Sequence, residues 1–413
     1  MGSLTLNSKA TPADRIAVVV SSLGGGGAER VVVDLCRHLR DSGREVSLIT
    51  LSGDDPDAYA VPAGVQRERM EIRRSASSLL DTIRFSLRHI AAMRRKIMSL
   101  SPDVVVSFVD QTNVRTVLGL FGTGIPVIVS ERVHPAHNPI SRGWRVLRRL
   151  TYPFAAAVTV QTEDGAEWFR RWTRVRHLVV ISNAARYPQD LGTDFAEPPA
   201  SASRPLILAI GRLIRQKGFD LLFDAFHRSR LFESGWHLTV LGEGIERSSL
   251  VQQAAKLGIA EALDLPGRVD DVGRWLKQAD LFVLSSRYEG FPNALMEAMQ
   301  LGLPCISFDC PSGPREMIEN NGNGCLVPAE DIDGLSEALR RLATDVDLRR
   351  RLAAEATKIS DRFSPVIVYK RWLQLIDAVF AGDLRGQGME YSPKAGRRSV
   401  GSSQPKQDHG VGW

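Results

Sequence analysis

The chain has 413 residues, of which 43% are hydrophobic and 24% charged, an average globular composition that excludes a largely disordered protein. This length favours two domains, and no apolar run approaches the roughly 18 to 20 residues that cross a bilayer. The formal net charge of +6 is not accompanied by a nucleic-acid-binding motif, so we expect no nucleic acid as partner.

Apolar, β-branched runs alternate with helix-length segments in the first half of the chain, as in βαβ units of a parallel sheet. The first run, Ile16–Leu23, is short and lacks the flanks of a signal peptide, so we expect a cytoplasmic protein. The predicted strands are Arg15–Ser22, Glu45–Leu51, Asp103–Val109, Pro126–Ser130, Ala156–Gln161 and His177–Ser182.

A glycine run follows the first predicted strand and opens a predicted helix at Ala28. Such a loop lets backbone N–H groups approach a phosphate, which the positive end of the helix dipole also attracts. A plain flexible turn is the alternative. The run is a poor dinucleotide fingerprint, because Glu29 stands where the third glycine of G-x-G-x-x-G belongs, so a dehydrogenase is the least favoured function.

Two basic segments of the first half, Arg73–Met98 and Ser141–Phe154, carry apolar residues among their arginines. Each could lie on an anionic membrane surface, with arginines at the head groups and apolar side chains below them. Alternatively, each is an amphipathic helix that packs on its own domain and exposes a basic face. The sequence leaves both readings open.

A Pro-, Ala- and Ser-rich stretch, Ala184–Pro205, separates the first half from a second set of strands. We predict a first domain over residues 1–190, a linker over 191–204 and a second domain over 205–363. A C-terminal helix over 364–382 either returns to the first domain or stays with its own, and a disordered tail follows over 383–413. The second-half strands are predicted at Leu206–Gly211, Trp236–Gly242, Ala279–Ser286 and Pro304–Asp309.

Ligands of open parallel sheets bind beyond the carboxyl ends of the strands, so the loops after the second-half strands are informative. Arg212 and Lys217 follow the first of these strands and could neutralise a pyrophosphate, unless both are solvated surface charges. Gly242 and Gly244 follow the next strand. The stretch Leu265–Val272 is predicted as another strand-to-helix loop, with Asp270 as the helix cap.

Two glutamates, Glu289 and Glu297, stand seven residues apart after the third of these strands. Glu289 lies in a turn that contains glycine and proline, while Glu297 lies about one turn into a helix that starts near Pro292 and stops at Gly302. The backbone N–H groups of Gly290, Phe291 and Asn293 face the mouth of the sheet. This arrangement suits a nucleotide-sugar, with hydroxyls at both carboxylates and phosphate between them.

At these residues the sequence resembles a retaining glycosyltransferase of the large GT4 family, which has the GT-B fold of two Rossmann-like parallel-sheet α/β domains facing each other across a cleft. The resemblance runs from Arg15 to about Phe380. It rests on "GGGGAERV", "ISNAA", "GRLIRQKGFD", "LGEGIERSSL" and "SSRYEGFPNALMEAMQLGLPCI". "SERVHP" and "DCPSGPREMI" resemble the branch that builds lipid-linked and exported bacterial polysaccharides.

The resemblance implies roles for individual residues. Arg212 and Lys217 would hold the donor diphosphate, Glu289 would meet the donor sugar and Glu297 the ribose. The loop around Arg268 and Val269 would flank the base, and Gly26 and Gly27 would border the diphosphate and the acceptor. Many relatives place a histidine in the first domain to contact the donor sugar; here the loop offers Glu131, His134 and His137 without a clean match, and we select His134, with a loop-filling histidine as the alternative.

The resemblance also implies a hexose or N-acetylhexosamine donor and a glycan or lipid-linked acceptor. The sequence does not indicate the base, and we select UDP over GDP. We expect no metal cofactor, because cations and N–H dipoles around a diphosphate stabilise its developing charge. The two glutamates would then bind substrate rather than act as an acid and base pair. We expect a cytoplasmic protein that can lie against the inner face of the membrane.

Two functions outside transfer stay open. A nucleotide-sugar epimerase shares the two-domain architecture and would convert the sugar nucleotide without an acceptor, although the motifs around Lys217 and Glu289 argue against it. A non-catalytic sugar-nucleotide binder would bind the donor and turn nothing over. Four cysteines, Cys36, Cys305, Cys310 and Cys325, have no C-x-x-C pairing, so we predict buried free thiols rather than disulfides or zinc.

Overall fold

The computed structural model of the chain describes residues 12–24, 26–51, 57–70, 79–137, 140–186, 204–269 and 271–384. Two parallel β-sheets form within these residues, one in each half of the chain, and this confirms the predicted fold class. Of the predicted linker and tail, only residues 204, 383 and 384 are described. The proposed domain bounds therefore stay a prediction.

The first sheet consists, within the described residues, of seven parallel strands. They are β1 (Arg15–Val20), β2 (Glu45–Thr50), β3 (Gln66–Arg69), β4 (Val104–Phe108), β5 (Val127–Ser130), β6 (Ala157–Val160) and β7 (Leu178–Val180). Their order across the sheet is β3-β2-β1-β4-β5-β6-β7. The central strands β1 and β4 are buried on both faces, which is why they read as continuous runs of valine and isoleucine.

Helices cover both faces of this sheet and enclose two hydrophobic clusters. They are α1 (Gly27–Asp41), α2 (Leu79–Leu100), α3 (Asp110–Leu120), α4 (Arg142–Thr151) and α5 (Glu163–Trp172). Helix α1 begins one residue before the predicted start, with Gly26 as its N-cap residue.

The second sheet has six parallel strands among the described residues. They are β8 (Leu206–Ile210), β9 (His237–Leu241), β10 (Leu263–Gly267), β11 (Leu281–Leu284), β12 (Cys305–Asp309) and β13 (Cys325–Pro328). The order is β10-β9-β8-β11-β12-β13, so the chain reverses direction across the sheet between β8 and β11. Such a reversal opens a crevice at the carboxyl ends of the strands, where ligands of these sheets bind.

The helices of the second half, apart from the last, cover both faces of the second sheet. They are α6 (Phe219–Ser229), α7 (Arg247–Leu257), α8 (Val272–Gln278), α9 (Asn293–Gln300), α10 (Pro314–Met317), α11 (Ile332–Thr344), α12 (Val346–Ala356), α13 (Ile359–Arg362) and α14 (Pro365–Phe380). Pro292 lies just before α9 as its N-cap residue rather than in its first turn. Asp271 caps α8, and the predicted cap Asp270 lies outside the described residues.

The three strands that the sequence did not predict, β3, β10 and β13, all lie at sheet edges. An edge strand is not buried between two neighbours and needs no continuous apolar run. Strand β3 reads QRER, and β10 contains Pro266, which has no N–H to donate to a ladder. The stretch Leu265–Val272 is therefore not wholly a loop, because its first three residues belong to β10.

The last helix, α14, packs against the first sheet although it follows the second in sequence. Trp372 is buried with its ring 5.9 Å from that of Phe108 on β4. At the same helix, Asp377 accepts a hydrogen bond from the N–H of Ala13 and pairs with Arg44 at 3.0 Å. The chain therefore crosses between the sheets twice, once in each direction.

All four cysteines are buried and free, as predicted. No helix in the described ranges is long and apolar enough to span a bilayer.

Candidate active site

Lys217 and Glu289 form a largely buried ion pair at the carboxyl edge of the second sheet. The Lys217 Nζ lies 2.6 Å from the Oε1 of Glu289, and the hydroxyl of Ser286 donates to the same oxygen at 2.6 Å. The other carboxylate oxygen forms no hydrogen bond with any described residue. Glu289 is thus held by one oxygen, and the other is available to a hydroxyl of a ligand.

Two glycines allow the lysine to reach this place. The turn Arg215–Lys217 ends at Gly218, whose φ of +63° is a left-handed conformation; a Cβ there would lie 2.1 Å from the carbonyl oxygen of Ser285. The side chain of Lys217 passes 3.1 Å from the place of a Cβ on Gly211. The sequence GRLIRQKGF therefore fixes the ammonium group against Glu289.

Arg212 stands at the end of β8, exposed and without an ion pair among the described residues. Its charge acts on the Tyr288 hydroxyl, whose pKa burial raises and the arginine lowers. The arginine is therefore close to the loop that carries Glu289. A free guanidinium beside a paired ammonium is an arrangement that can receive the two phosphates of a nucleotide.

Glu297 is buried one turn into α9 and pairs with Arg30 of α1, across the boundary between the two domains. Arg30 Nη1 donates to Oε1 of Glu297. Burial works to lower the pKa of Arg30, but the charge and hydrogen bond of Glu297 outweigh it and the pKa is raised. The two glutamates therefore each have a cation, one from its own domain and one from the facing domain.

Gly27 brings the glycine run of the first domain to the start of α9. A Cβ on Gly27 would lie 3.1 Å from the side-chain nitrogen of Asn293, and that nitrogen lies 3.5 Å from the carbonyl oxygen of Gly27. Gly26 precedes it at the N-terminus of α1. The first residues of α1 and α9 thus lie next to each other, and each helix start has N–H groups without intrahelical partners.

Asn183 connects the domains directly beneath this point. Its side-chain nitrogen donates to the side-chain oxygen of Asn293 at 2.6 Å, and its side-chain oxygen accepts from the guanidinium of Arg132. Arg132 is buried over the ring of Phe108 and has no carboxylate partner among the described residues, so burial lowers its pKa to about 10. At the floor of the cleft, polar side chains therefore connect the two domains, and one of them is the buried cation Arg132.

Gly290 and Phe291 follow Glu289 and also lie against the first domain. A Cβ on Gly290 would lie 2.1 Å from the carbonyl oxygen of Arg132, so the site admits only glycine at this separation of the domains. The ring of Phe291 is buried against Phe363 in the second domain. The backbone of this turn is consequently fixed from both sides.

His134 lies at the same joint. Its backbone N–H donates to the carbonyl oxygen of Glu289 at 3.4 Å, and its Nε2 lies 3.4 Å from Asp164. Burial lowers the pKa of the imidazole, against the opposing charge of Asp164. His134 therefore lies beside the turn that carries the predicted sugar-binding glutamate.

The neighbouring Glu131 has its polar partners within the first domain. It is buried, accepts a hydrogen bond from the hydroxyl of Tyr152, and lies 3.8 Å from Arg148. Burial raises the pKa of its carboxyl to about 7, although the arginine and the tyrosine work in the opposite direction. This network anchors α4 to the first sheet.

Gly242, Arg268 and Val269 lie farther along the carboxyl edge of the second sheet. Gly242 ends β9 and donates its N–H to the carbonyl oxygen of Gly267 at 2.8 Å. Arg268 is exposed and Val269 half-buried, and neither makes a hydrogen bond or ion pair with the two glutamates among the described residues. They border the same crevice without closing it.

Among the described residues, no group of three histidine, cysteine, aspartate or glutamate side chains is arranged to hold a metal ion. The expectation of a metal-independent reaction stays a prediction.

The sequence analysis did not select Arg30, Asn183, Arg132 or the side chain of Asn293, although each stands in a quoted motif. Arg30 lies three residues after Gly27, the first residue of α1, and Glu297 lies four residues after Asn293, the first residue of α9. Their similar places, about one turn into a helix that follows a loop, are the signal that could have paired them. The partners of Asn183 and Arg132 lie 110 and 51 residues away in the chain, and no local pattern indicates them.

Two family models match the chain. Residues 26–184 match the model described as "Glycosyl transferase 4-like domain", and residues 192–359 match "Glycosyl transferases group 1". The matches fall on the two halves that carry the two sheets.

Curated relatives align over most of the chain. An enzyme of Campylobacter jejuni named "GalNAc-alpha-(1->4)-GalNAc-alpha-(1->3)-diNAcBac-PP-undecaprenol alpha-1,4-N-acetyl-D-galactosaminyltransferase" is 27% identical over 88% of this chain and 99% of its own length. The amylovoran biosynthesis glycosyltransferase AmsD of Erwinia amylovora is 24% identical over 85% of this chain and 96% of its own.

Solved structures share the fold at low identity. A sucrose-phosphate synthase from Thermosynechococcus elongatus superposes with a TM-score of 0.76 and 17% identity, over 89% of this chain and 100% of its own. Anabaena HepE, solved in complex with UDP and glucose, gives a TM-score of 0.73 and 19% identity, over 88% of this chain and 100% of its own.

Proposed function

The chain belongs to the GT4-type glycosyltransferases with the GT-B fold, and from this premise we propose that it transfers a hexose or N-acetylhexosamine from a nucleotide-sugar to a glycan or lipid-linked acceptor. The product would be a bacterial cell-surface polysaccharide or its lipid-linked precursor. We propose UDP as the nucleotide and retention of configuration at the anomeric carbon.

The observation that carries this proposal is the pair of Lys217 and Glu289 next to the free Arg212. An ammonium and a guanidinium at one strand end match a diphosphate, and the unpaired oxygen of Glu289 matches a sugar hydroxyl. HepE, which has the same fold, was solved with UDP and glucose. That supports UDP as the nucleotide and a hexose as the transferred sugar.

In the proposed reaction, the bond between the anomeric carbon and the diphosphate oxygen breaks while the acceptor oxygen bonds to the same carbon on the same face. The acceptor's proton passes to the leaving diphosphate. Arg212, Lys217 and the N–H groups at the starts of α1 and α9 stabilise the negative charge that develops on the diphosphate. Glu289 positions the sugar, Glu297 positions the ribose, and His134 borders the sugar; neither glutamate takes or gives a proton.

A lipid-linked acceptor is supported by the relatives and by one surface of the first domain. The Campylobacter relative is named for an undecaprenol-linked substrate. On this chain, the face that we call the α4 patch combines exposed apolar side chains with exposed arginines. It consists of Phe121, Val146, Leu150, Phe154, Arg142, Arg145 and Arg149.

Of the two alternatives for the basic segments, packing on the first domain fits α2 better and contact with a membrane fits α4 better. In α2, Met93 and Ile97 are buried, and Arg94 donates to the carbonyl oxygens of Gly119 and Phe121, so much of this helix packs on its own domain. Leu87 of α2 and Leu150 of α4 are both 61% exposed, but Leu150 is accompanied by two further apolar side chains that are more than half exposed, Val146 and Phe154. Phe121 and Phe154, both more than half exposed, stand edge to face with centroids 5.1 Å apart.

We therefore assign the membrane contact to the α4 patch rather than to Arg73–Met98, of which residues 73–78 lie outside the described ranges. Apolar side chains with a ring of arginines suit the interface of an anionic bilayer. Arg148, buried against Glu131 and Trp168, holds α4 in place from inside. The enzyme would lie on the inner face of the cytoplasmic membrane, within reach of its acceptor.

The proposal is tested by incubating the protein with UDP-sugars and an extract of bacterial lipid-linked oligosaccharides. Products heavier by one sugar support transfer, and the anomeric configuration of that sugar by NMR reports retention or inversion. Interconversion of the free UDP-sugar without acceptor would instead identify an epimerase.

A further inference from the structure

Arg30 of the first domain contacts the carboxylate of Glu297, which is the ribose ligand in the proposed function. Its guanidinium is largely buried, and its closest carboxylate is Glu297 of the second domain. Within the described residues, this is the one hydrogen bond that the Glu297 side chain makes. The side chain with which the second domain would read the ribose is thus oriented by the first domain.

The other acid near Arg30 is a weaker partner. Asp34 lies one turn farther along α1 and acts on Arg30 through its charge. Burial raises the pKa of Asp34, against the charges of Arg30 and Arg37, and so disfavours its ionised form. Glu297 is consequently the main counter-charge for a cation that would be costly to bury alone.

The contact between Arg30 and Glu297 leaves part of each group unused. Only Oε1 of Glu297 accepts from Arg30, and its second oxygen has no hydrogen bond from a described residue. Nε of Arg30 is buried without a partner in the described structure. A cavity of about 210 Å³ lined by Arg30, Asp34, Tyr59 and Tyr369 borders the guanidinium.

We propose that Arg30 is a positioning residue for the donor ribose. It holds one oxygen of Glu297 so that the other accepts from the ribose 2′- or 3′-hydroxyl, and it makes ribose recognition depend on closure of the first domain onto the second. This inference rests on the proposed function, because it takes Glu297 as the ribose ligand.

The inference predicts how a nucleotide is discriminated. A fixed, buried carboxylate that accepts a hydrogen bond from a ligand hydroxyl is left without a partner when the analogue lacks that hydroxyl, so the analogue binds more weakly. A carboxylate that can reorient does not discriminate between the two ligands in this way. With Arg30 removed, Glu297 loses its orientation and its counter-charge. Affinity for a ribonucleotide should fall, and the preference over the 2′- and 3′-deoxy forms should fall with it.

The test is calorimetric binding of UDP, GDP and ADP, each beside its 2′-deoxy and 3′-deoxy forms, to the full-length protein. Wild type should prefer one ribonucleotide over at least one of its deoxy forms by about 10-fold or more. Arg30→Met should weaken the binding of that ribonucleotide by about 10-fold and reduce its preference over the deoxy form to below about 3-fold. Arg37→Met is the control, two turns along the same helix and paired with Asp34, and should stay within about 2-fold of wild type on both measures.

The other outcomes distinguish failure of this inference from failure of the proposed function. Tighter ribonucleotide binding by Arg30→Met would show that Arg30 competes with the ribose, and an unchanged preference would show a merely structural role; either overturns the inference alone. If wild type binds none of the nucleotides, the proposed function fails and the inference with it. Should Arg30→Met not fold, Arg30→Lys keeps the charge without the planar fork, and an unchanged preference in that variant would likewise overturn the inference.

Discussion

The Oε1 atom of Glu289 lies 2.6 Å from both the ammonium of Lys217 and the hydroxyl of Ser286. The three residues come from the loops after two neighbouring strands, β8 and β11, so the relationship exists only in the folded sheet. It fixes the carboxylate and brings a cation to the edge of the crevice. The chemistry that we propose depends on both effects.

Replacing Lys217 by methionine should remove a diphosphate cation and leave Glu289 without its ion pair. We expect transfer activity to fall by about 100-fold to 1,000-fold, the usual loss for one group that stabilises a developing anion. Stability should fall by roughly 1.5–3 kcal/mol, the range for a hydrogen bond to a charged group. Arg215→Met, in the same turn and exposed, is the control; equal activity losses in both variants would contradict the assignment.

Gly290→Ala should separate the domains at the cleft floor, because its Cβ would meet the carbonyl oxygen of Arg132 at 2.1 Å. Since this contact crosses the domain boundary, we expect kcat to fall by at least about 10-fold while the apparent unfolding temperature changes little. Gly143→Ala, whose nearest neighbour would be 3.9 Å away, should leave kcat unchanged. Full activity of Gly290→Ala would show that the domains need not close to this distance.

Glu131 should make stability depend on pH. Its pKa is raised from 4.5 to about 7 in the folded chain, mainly by burial, so the folded state holds a proton that the unfolded state has released between these values. Stability therefore decreases as pH rises through this window, and most of the loss is complete by pH 8. Relative to Glu131→Gln, which does not titrate, wild type should lose up to about 3 kcal/mol between pH 5 and pH 8.

Thermal unfolding of wild type and Glu131→Gln at the two pH values measures this difference. The glutamine keeps an oxygen that accepts from Tyr152, so the variant is expected to fold. A stability difference that is the same at both values would show that Glu131 remains ionised throughout.

The α4 patch should bind anionic membranes. We expect Val146→Ser/Leu150→Ser and Arg145→Glu/Arg149→Glu to reduce co-sedimentation with vesicles of phosphatidylglycerol and phosphatidylethanolamine by about 10-fold, since apolar burial and charge each contribute to such binding. Arg350→Glu/Arg351→Glu changes the net charge equally on α12 of the second domain and should bind as wild type does. An equal loss in that control would indicate a general charge effect.

The sequence indicated the central strands and the edge strand β7, and it missed the three other edge strands. Strands β1 and β4 are buried on both faces and must be apolar, whereas β3, at an edge, is satisfied by QRER. Periodicity reports burial, so it reports the middle of a parallel sheet better than its edges.

The residues of the candidate site likewise fall into those that the sequence indicated and those that it did not. Lys217 and Glu289 each follow a predicted strand, and topology alone brings them to one edge. Arg30 and Asn183 belong to the first domain and contact residues of the second. The sequence pattern of one domain does not indicate how that domain packs against the other. The residues that join the domains therefore came only from the structure.

The central claim is a nucleotide-sugar site formed at Lys217, Glu289 and Glu297. The measurement that tests it most directly is a thermal-shift panel of UDP, GDP, ADP and TDP and their common sugar conjugates, on wild type, Glu297→Ala and Lys217→Met, without added metal. A ligand that binds only the folded state raises its apparent stability. We predict that UDP and a UDP-sugar stabilise wild type and stabilise both variants much less, whereas stabilisation by no nucleotide, or equal stabilisation of all three proteins, would contradict the site.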